Sequence, residues 1–221
     1  MRKNLILWIL FVVATTIELL TQIYEWETVN MVVKPLLMPF LALFFLFSIK
    51  QKEKLAYLVV VALFFSWVGD VLLIYKVDNR FFLPGLISFL ITQLLYIYIF
   101  YQSSEGFKPK LFTYSTAFLM ILYGALLDLL MWSKLGSMKI PVAVYTMVIM
   151  LMGISALFRK AKGASHVLVG AMLFIASDSI LAVNKFYEPI NAAGFWTMIT
   201  YILAQFVIIS GMIKFFNAKA S

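Results

Sequence analysis

Two aspartates stand in segments that otherwise read as the walls of membrane helices. Asp178 lies in "FIASDSILAV" at 174–183 and Asp70 in "FSWVGDVLLI" at 65–74, each after a small residue and each before a leucine-rich half-turn. An ionisable residue in mid-helix costs ~2.5–3.5 kcal/mol on insertion scales, so such residues face a bundle interior and mark a site or a path. Two carboxyls in a poorly hydrated pocket suit acid–base work. One can remain protonated and donate, while a partner beside a cation stays ionised and directs water. Lys34 is the cation we expect there. The structural alternative is an Asp–Lys pair that, with Ser and Gln hydrogen bonds, joins helices.

The elements that must hold these residues follow from composition. The 221 residues are 64% hydrophobic and 13% charged, with mean hydropathy +0.99, far outside the balance of a soluble domain. At ~20 residues per span, eight segments emerge, at roughly 5–23, 31–49, 55–75, 81–101, 111–131, 140–158, 165–184 and 194–215. The expected fold is an all-α polytopic membrane helix bundle, one membrane-embedded domain over 1–221. The opening "MRKNLILWILFVV" starts like a signal peptide. Its apolar run is long, contains Glu18 and lacks an A-x-A-type site, so it reads as a retained first helix.

Lys and Arg divide unevenly between the two faces of such a bundle. One face takes Arg2, Lys3, Lys50, Lys52, Lys54, Lys108, Lys110, Arg159, Lys160, Lys162, Lys214 and Lys219; the other takes Lys34, Lys76, Arg80, Lys134, Lys139 and Lys185. The richer face, with both termini, is expected to be cytoplasmic. The net charge of +8 then reports topology and attraction to anionic headgroups; no basic stripe with interleaved aromatics suggests nucleic acid. Cysteine is absent and His166 is the single histidine. Thiolate chemistry is excluded, and so is a transition-metal cage. No metal and no cofactor is expected, and nothing indicates an oligomeric state.

A weak internal repeat adds to this. Asp70 is followed 23 residues later by Gln93 and then by Tyr96; Asp178 is followed 23 residues later by Tyr201 and then by Gln205. Two parallel four-helix halves, 1–104 and 105–221, would explain the match. Each aspartate precedes the end of its helix by five or six residues, which places it ~8–9 Å inside the rim. Lys34, Tyr145, Thr146 and Asp128 come in at similar levels, as do Glu18 and Gln22, which share a helix face. Glu18 and Asp128 read more readily as interfacial or as helix-joining residues.

Five stretches carry a resemblance: "KPLLMP" at 34–39, "FSWVGDVLL" at 65–73, "LPGLISFLITQLLY" at 83–96, "PVAVYTMVIMLM" at 141–152 and "GAMLFIASDSILAVNKF" at 170–186. Together they resemble the YhhN family of lysoplasmalogenases. The resemblance implies a multi-pass membrane hydrolase that cleaves the vinyl ether bond of a lysophospholipid, giving a fatty aldehyde and a glycerophospho-alcohol. It also implies catalytic roles for Asp70, Asp178 and Lys34, with Tyr145 and Asn184 among the family's polar residues. Where the family's fourth-helix pattern leads us to expect histidine, this chain has Gln93, which can hydrogen-bond but cannot relay a proton near neutral pH.

The chemistry needs an acid to protonate the alkenyl carbon distal to oxygen and a base to direct water at the resulting oxocarbenium, as carboxylate pairs do in glycosidases. Ser177, Gln93, Tyr96, Tyr145, Asn184 and Lys185 are the expected substrate contacts. Lys185, seven residues after Asp178 on nearly the same face, is the best candidate for holding the phosphate, ahead of Lys34, Lys76, Arg80 and Lys139. The lipid tail is expected in an apolar cavity within the other half of the bundle. Parallel repeats with intramembrane acids also suit a proton-coupled transporter. A non-catalytic lipid-binding protein is the remaining alternative.

Overall fold

A computed structural model of the chain describes residues 2–75, 79–106 and 111–220. Eight α-helices run in order: α1 (Arg2–Tyr24), α2 (Glu27–Ser48), α3 (Lys54–Ile74), α4 (Asn79–Gln102), α5 (Leu111–Met131), α6 (Lys139–Phe158), α7 (Ala164–Phe186) and α8 (Ala193–Lys219). All eight are long and apolar enough to cross a membrane. No strand occurs among the described residues. The expected spans hold within a turn at nearly every boundary. The exceptions are instructive, since α2 starts at Glu27 and α8 runs on to Lys219. Both additions are polar turns beyond the apolar run, and tertiary hydrogen bonds order them.

Asn30 bonds Glu18 at the start of α2, and the bonds around the end of α8 gather where the first and last helices meet. Asn4 donates to the Phe47 carbonyl at 3.1 Å. Asn217 donates to the Ser48 carbonyl at 3.0 Å and accepts from the Lys50 amide at 3.0 Å. Lys219 pairs with Glu53 at 2.6 Å. Arg159, buried at the end of α6, donates to Ser103 at 2.7 Å, and the Glu105 amide donates to the Lys160 carbonyl at 2.8 Å. Close by, Gly163, at φ +78°, and Gly211 touch backbone to backbone; a Cβ at either would collide with the other chain segment. This terminal end of the bundle is therefore tied across five helix pairs.

The interior of that half is solid. Phe45, Tyr96, Phe100, Phe174, Leu41, Ile99 and Met152 are all fully buried, and packing at such density leaves little room for a ligand. An apolar tail cavity inside the bundle, expected from sequence, is not where these side chains leave space. Aromatic and aliphatic bulk fills it instead.

Two prolines in α2 set the geometry at the far end. Pro39 has no N–H, so the Pro35 carbonyl loses its helical partner. The Trp67 indole N–H of α3 donates to that carbonyl at 2.9 Å, fixing α2 against α3 near Lys34. Small polar bonds join α3 to α4, from Ser88 to the Phe65 carbonyl at 2.7 Å and from Thr92 to the Ala62 carbonyl at 3.2 Å. Such bonds substitute for the hydrophobic drive that lipid removes.

Candidate active site

Asp70 and Asp178 meet in one cavity. It has a volume of about 390 Å³ and lies at the far end, with Lys34, Asn184, Lys185, Ser177 and Tyr201 also on its wall. Asp178 lies within electrostatic range of Asp70. Asp70 is 2% exposed; its carboxylate accepts from the Tyr201 hydroxyl at 2.8 Å and lies within electrostatic range of Lys34. Asp178 accepts from the Tyr145 hydroxyl.

The floor explains why these hydroxyls aim as they do. Gly69 precedes Asp70, and its missing Cβ is where the Phe89 ring sits; an added Cβ would lie 2.6 Å from that ring. Phe89, Phe174 and Tyr201 then pack edge to face around one another, with centroids 5.5–6.3 Å apart. This wedge holds the Tyr201 ring so that its hydroxyl reaches Asp70. Below the wedge, Tyr96 donates to Gln205 at 2.6 Å, Gln205 donates to Ser66 at 2.9 Å, and Ser66 donates to Thr92 at 3.2 Å.

Other sequence candidates are placed variously. Ser177 lines the cavity but spends its proton on the Thr197 carbonyl at 2.9 Å, tying α7 to α8. Asn184 lines it too, while its side-chain oxygen accepts from the Ile190 amide at 2.9 Å and so shapes the α7–α8 loop. Lys185 reaches the wall with its ammonium over the Phe82 ring, 4.3 Å from the centroid. Lys139 instead covers Trp132, 5.3 Å from its centroid, and neither it nor Arg80 is on the wall. Lys76 lies outside the described residues.

Tyr96 and Gln93 are fully buried and do not line the cavity. Tyr96 belongs to the network with Gln205. Gln93 sits beside the Tyr145 phenol, yet its amide nitrogen and oxygen have no partner in hydrogen-bonding geometry.

Glu18 joins the site as a buried support. It is fully buried and accepts from Gln22 at 2.9 Å and from Asn30 at 2.8 Å, and both donors line the cavity. Asp128 does not join. Thr146 donates to it at 2.8 Å, in a groove between α5 and α6. Tyr201 and Asn30 escaped the sequence reading as site residues. The signal for Tyr201 was its 23-residue offset from Asp178; Asn30 had none, lying before the expected start of its helix.

A second, apolar pocket of about 50 Å³ adjoins the first. Asp178, Leu73, Phe82, Phe89 and Leu181 belong to both walls, and Tyr145, Leu86, Leu127 and Ile175 line the far side of the smaller one. Asp178 thus stands at the border between a polar chamber and an apolar one. No group of three or more His, Cys, Asp or Glu residues among the described residues could hold a metal ion.

Known proteins bear on this arrangement. The chain is 32% identical to lysoplasmalogenase TMEM86A of Bos taurus over 158 residues, covering 67% of this chain and 62% of that protein. It is 33% identical to lysoplasmalogenase TMEM86B of Homo sapiens over 147 residues, covering 66% of this chain and 59% of that protein. The matched part thus spans about three fifths of the length of these relatives. No solved structure matches. Residues 29–212 match the YhhN family, a stretch that takes in Lys34, both aspartates, Tyr145 and Tyr201, and the chain belongs to that family.

Proposed function

We propose that this protein is a membrane hydrolase that cleaves the vinyl ether bond of lysoplasmalogen-type lysophospholipids, releasing a fatty aldehyde and a glycerophospho-alcohol. The observation that carries the reading is the meeting of Asp70, Asp178 and Lys34 on one cavity with an apolar annex. The likeness to two lysoplasmalogenases supports it.

The positions of the two carboxyls favour one division of roles. Asp178, at the border of the two chambers, is placed to reach an alkenyl chain, and it donates a proton to the alkenyl carbon distal to oxygen. The adjoining carbon becomes an oxocarbenium centre. Asp70, the carboxyl with Lys34 in electrostatic range, acts in its ionised form, steadies that cation and takes a proton from the attacking water as the C–O bond forms. The hemiacetal then collapses: the ether oxygen leaves with the proton from Asp70, and the hemiacetal hydroxyl returns its proton to Asp178. Both carboxyls end as they began. Tyr145 and Tyr201 position them, and Lys185 holds the phosphate.

Detergent-purified protein should release aldehyde from a lysoplasmalogen, and release should survive exhaustive chelation. Absence of aldehyde from folded protein would overturn the reading in favour of a carrier or a lipid-binding protein. Loss on chelation with rescue by Mg²⁺ would make the aspartates ligands. We also propose that both termini face the cytoplasm, so reporters fused after Phe47, Gln102 and Ser221 should report one side and one after Tyr187 the other.

A further inference from the structure

A single-chain lipid bound as proposed needs somewhere to put its tail. The small annex beyond Asp178 holds about 50 Å³, room for roughly four water-sized spheres, so a long chain cannot end there. The bundle interior below is filled by Phe89, Phe174, Tyr96 and Phe100. The chain must leave sideways.

One wall of the annex offers the way. Thr146 and Met150 line the annex on one side and, on the other, a groove of about 290 Å³ between α5 and α6. Small residues make this groove, with Gly124 and Ala125 facing Ala143, and Ile121, Met147, Leu151 and Ile154 supply its apolar sides. Ile121, Met147 and Leu151 are exposed, and on spans of this length exposed apolar side chains face lipid. From Ala143 to Ile154 the groove follows eleven residues of α6, ~16 Å along the helix axis. It therefore runs parallel to the acyl chains of the surrounding bilayer.

We propose that the hydrocarbon chain of the substrate lies in this α5–α6 groove and reaches Asp178 by passing between Thr146 and Met150, a lateral route from the membrane into the site. The inference rests on the lysophospholipid reading above. Three features suit the passage. Methionine, unbranched and with three rotatable bonds, can move aside for a chain without a cavity being kept open. Gly124 lets α5 approach α6 here, because a Cβ would come within 2.9 Å of the Met150 side chain. Thr146 turns its hydroxyl to Asp128 at 2.8 Å, leaving its methyl as the surface a chain would meet.

The test uses a non-cleavable alkyl lysophosphocholine carrying a diazirine at its chain end, photolysed with the purified full chain and mapped by mass spectrometry. Label competed away by excess unlabelled alkyl lysophosphocholine should fall on the groove-lining residues of α5 and α6. Met150→Trp, which blocks the passage, should abolish that competable label and lower kcat/KM on a long-chain alkenyl substrate by about tenfold. Aldehyde release with competable label only outside α5 and α6 would overturn the groove and leave the hydrolase reading standing. Retained label and kcat/KM in folded Met150→Trp would overturn the passage. Neither competable label nor aldehyde would overturn both.

Discussion

Asp70 and Asp178 share a cavity, a side chain and a tyrosine donor apiece, but little else around them is alike. Asp70 is sunk to 2% exposure, on the far side of a glycine from an aromatic ring, with a lysine in range. Asp178 lies on the border of the polar and apolar chambers, where it accepts from the Tyr145 hydroxyl. Two identical groups made unequal by their neighbours are what divided acid and base roles require. The comparison teaches that the two carboxyls differ through α2 and α6, which supply Lys34 and Tyr145, more than through α3 and α7, which carry them.

The largest effect should come from the carboxyls themselves. Asp178→Asn and Asp70→Asn should each lower aldehyde release by ~10²–10⁴-fold while the protein still elutes as a folded species, since asparagine is nearly isosteric and buries no charge. Near-normal turnover in both variants would break the catalytic reading, and loss of the folded peak would leave only helix joining. Next, Lys34→Gln should cost about tenfold, and that cost should vanish in an Asp70→Asn background while persisting beside changes at Asp178. A double-mutant cycle measures this coupling. An equal coupling to both aspartates would mean that the lysine does not distinguish them.

Smaller effects sharpen the picture. Tyr201→Phe deletes a hydrogen bond to the ionised Asp70, worth roughly 1.5–3 kcal/mol, and Tyr145→Phe one to the protonated Asp178, worth roughly 0.5–1.5 kcal/mol. Tyr201→Phe, acting on the more buried Asp70, should show the greater loss of thermal stability in a melting experiment. Tyr145→Phe should weigh more on kcat. The smallest change should follow Gln93→Leu, which removes two buried polar atoms without partners. A gain of about 1 kcal/mol is expected, or roughly 2–4 °C in Tm, read by the same melting experiment. A lower Tm would mean that the amide is supported in solution.

Much of the fold was legible because lipid constrains it so tightly. A span needs ~20 apolar residues, and the runs that supply them are unmistakable in this chain. Depth was legible too, since distance from a helix end converts directly to ångströms; Lys34, Asp70 and Asp178 were expected at one level and do share a cavity. Lateral adjacency was not. The 23-residue offsets tied Asp70 to Gln93 and Asp178 to Tyr201, whereas Asp70 takes its hydrogen bond from Tyr201 and Asp178 takes its own from Tyr145. Spacing along a helix says which face a residue occupies, not which helix that face will meet. The tail cavity failed for a related reason: an apolar half-bundle reads the same in sequence whether its side chains interlock or leave a void.

The tied terminal end has a consequence for motion. Asn4, Asn217, Lys219 and Arg159 lock the helices together at one end, while the far end holds a chamber and a lateral groove. The far end is bonded too, by Asn30 to Glu18 and by Ser177 to the Thr197 carbonyl, but there the helices border a cavity instead of packed bulk. Breathing is therefore expected to concentrate around the cavity. Amide exchange should report it as a gradient, slowest near Ser48 and Arg159 and fastest in the turns that join α1 to α2 and α7 to α8.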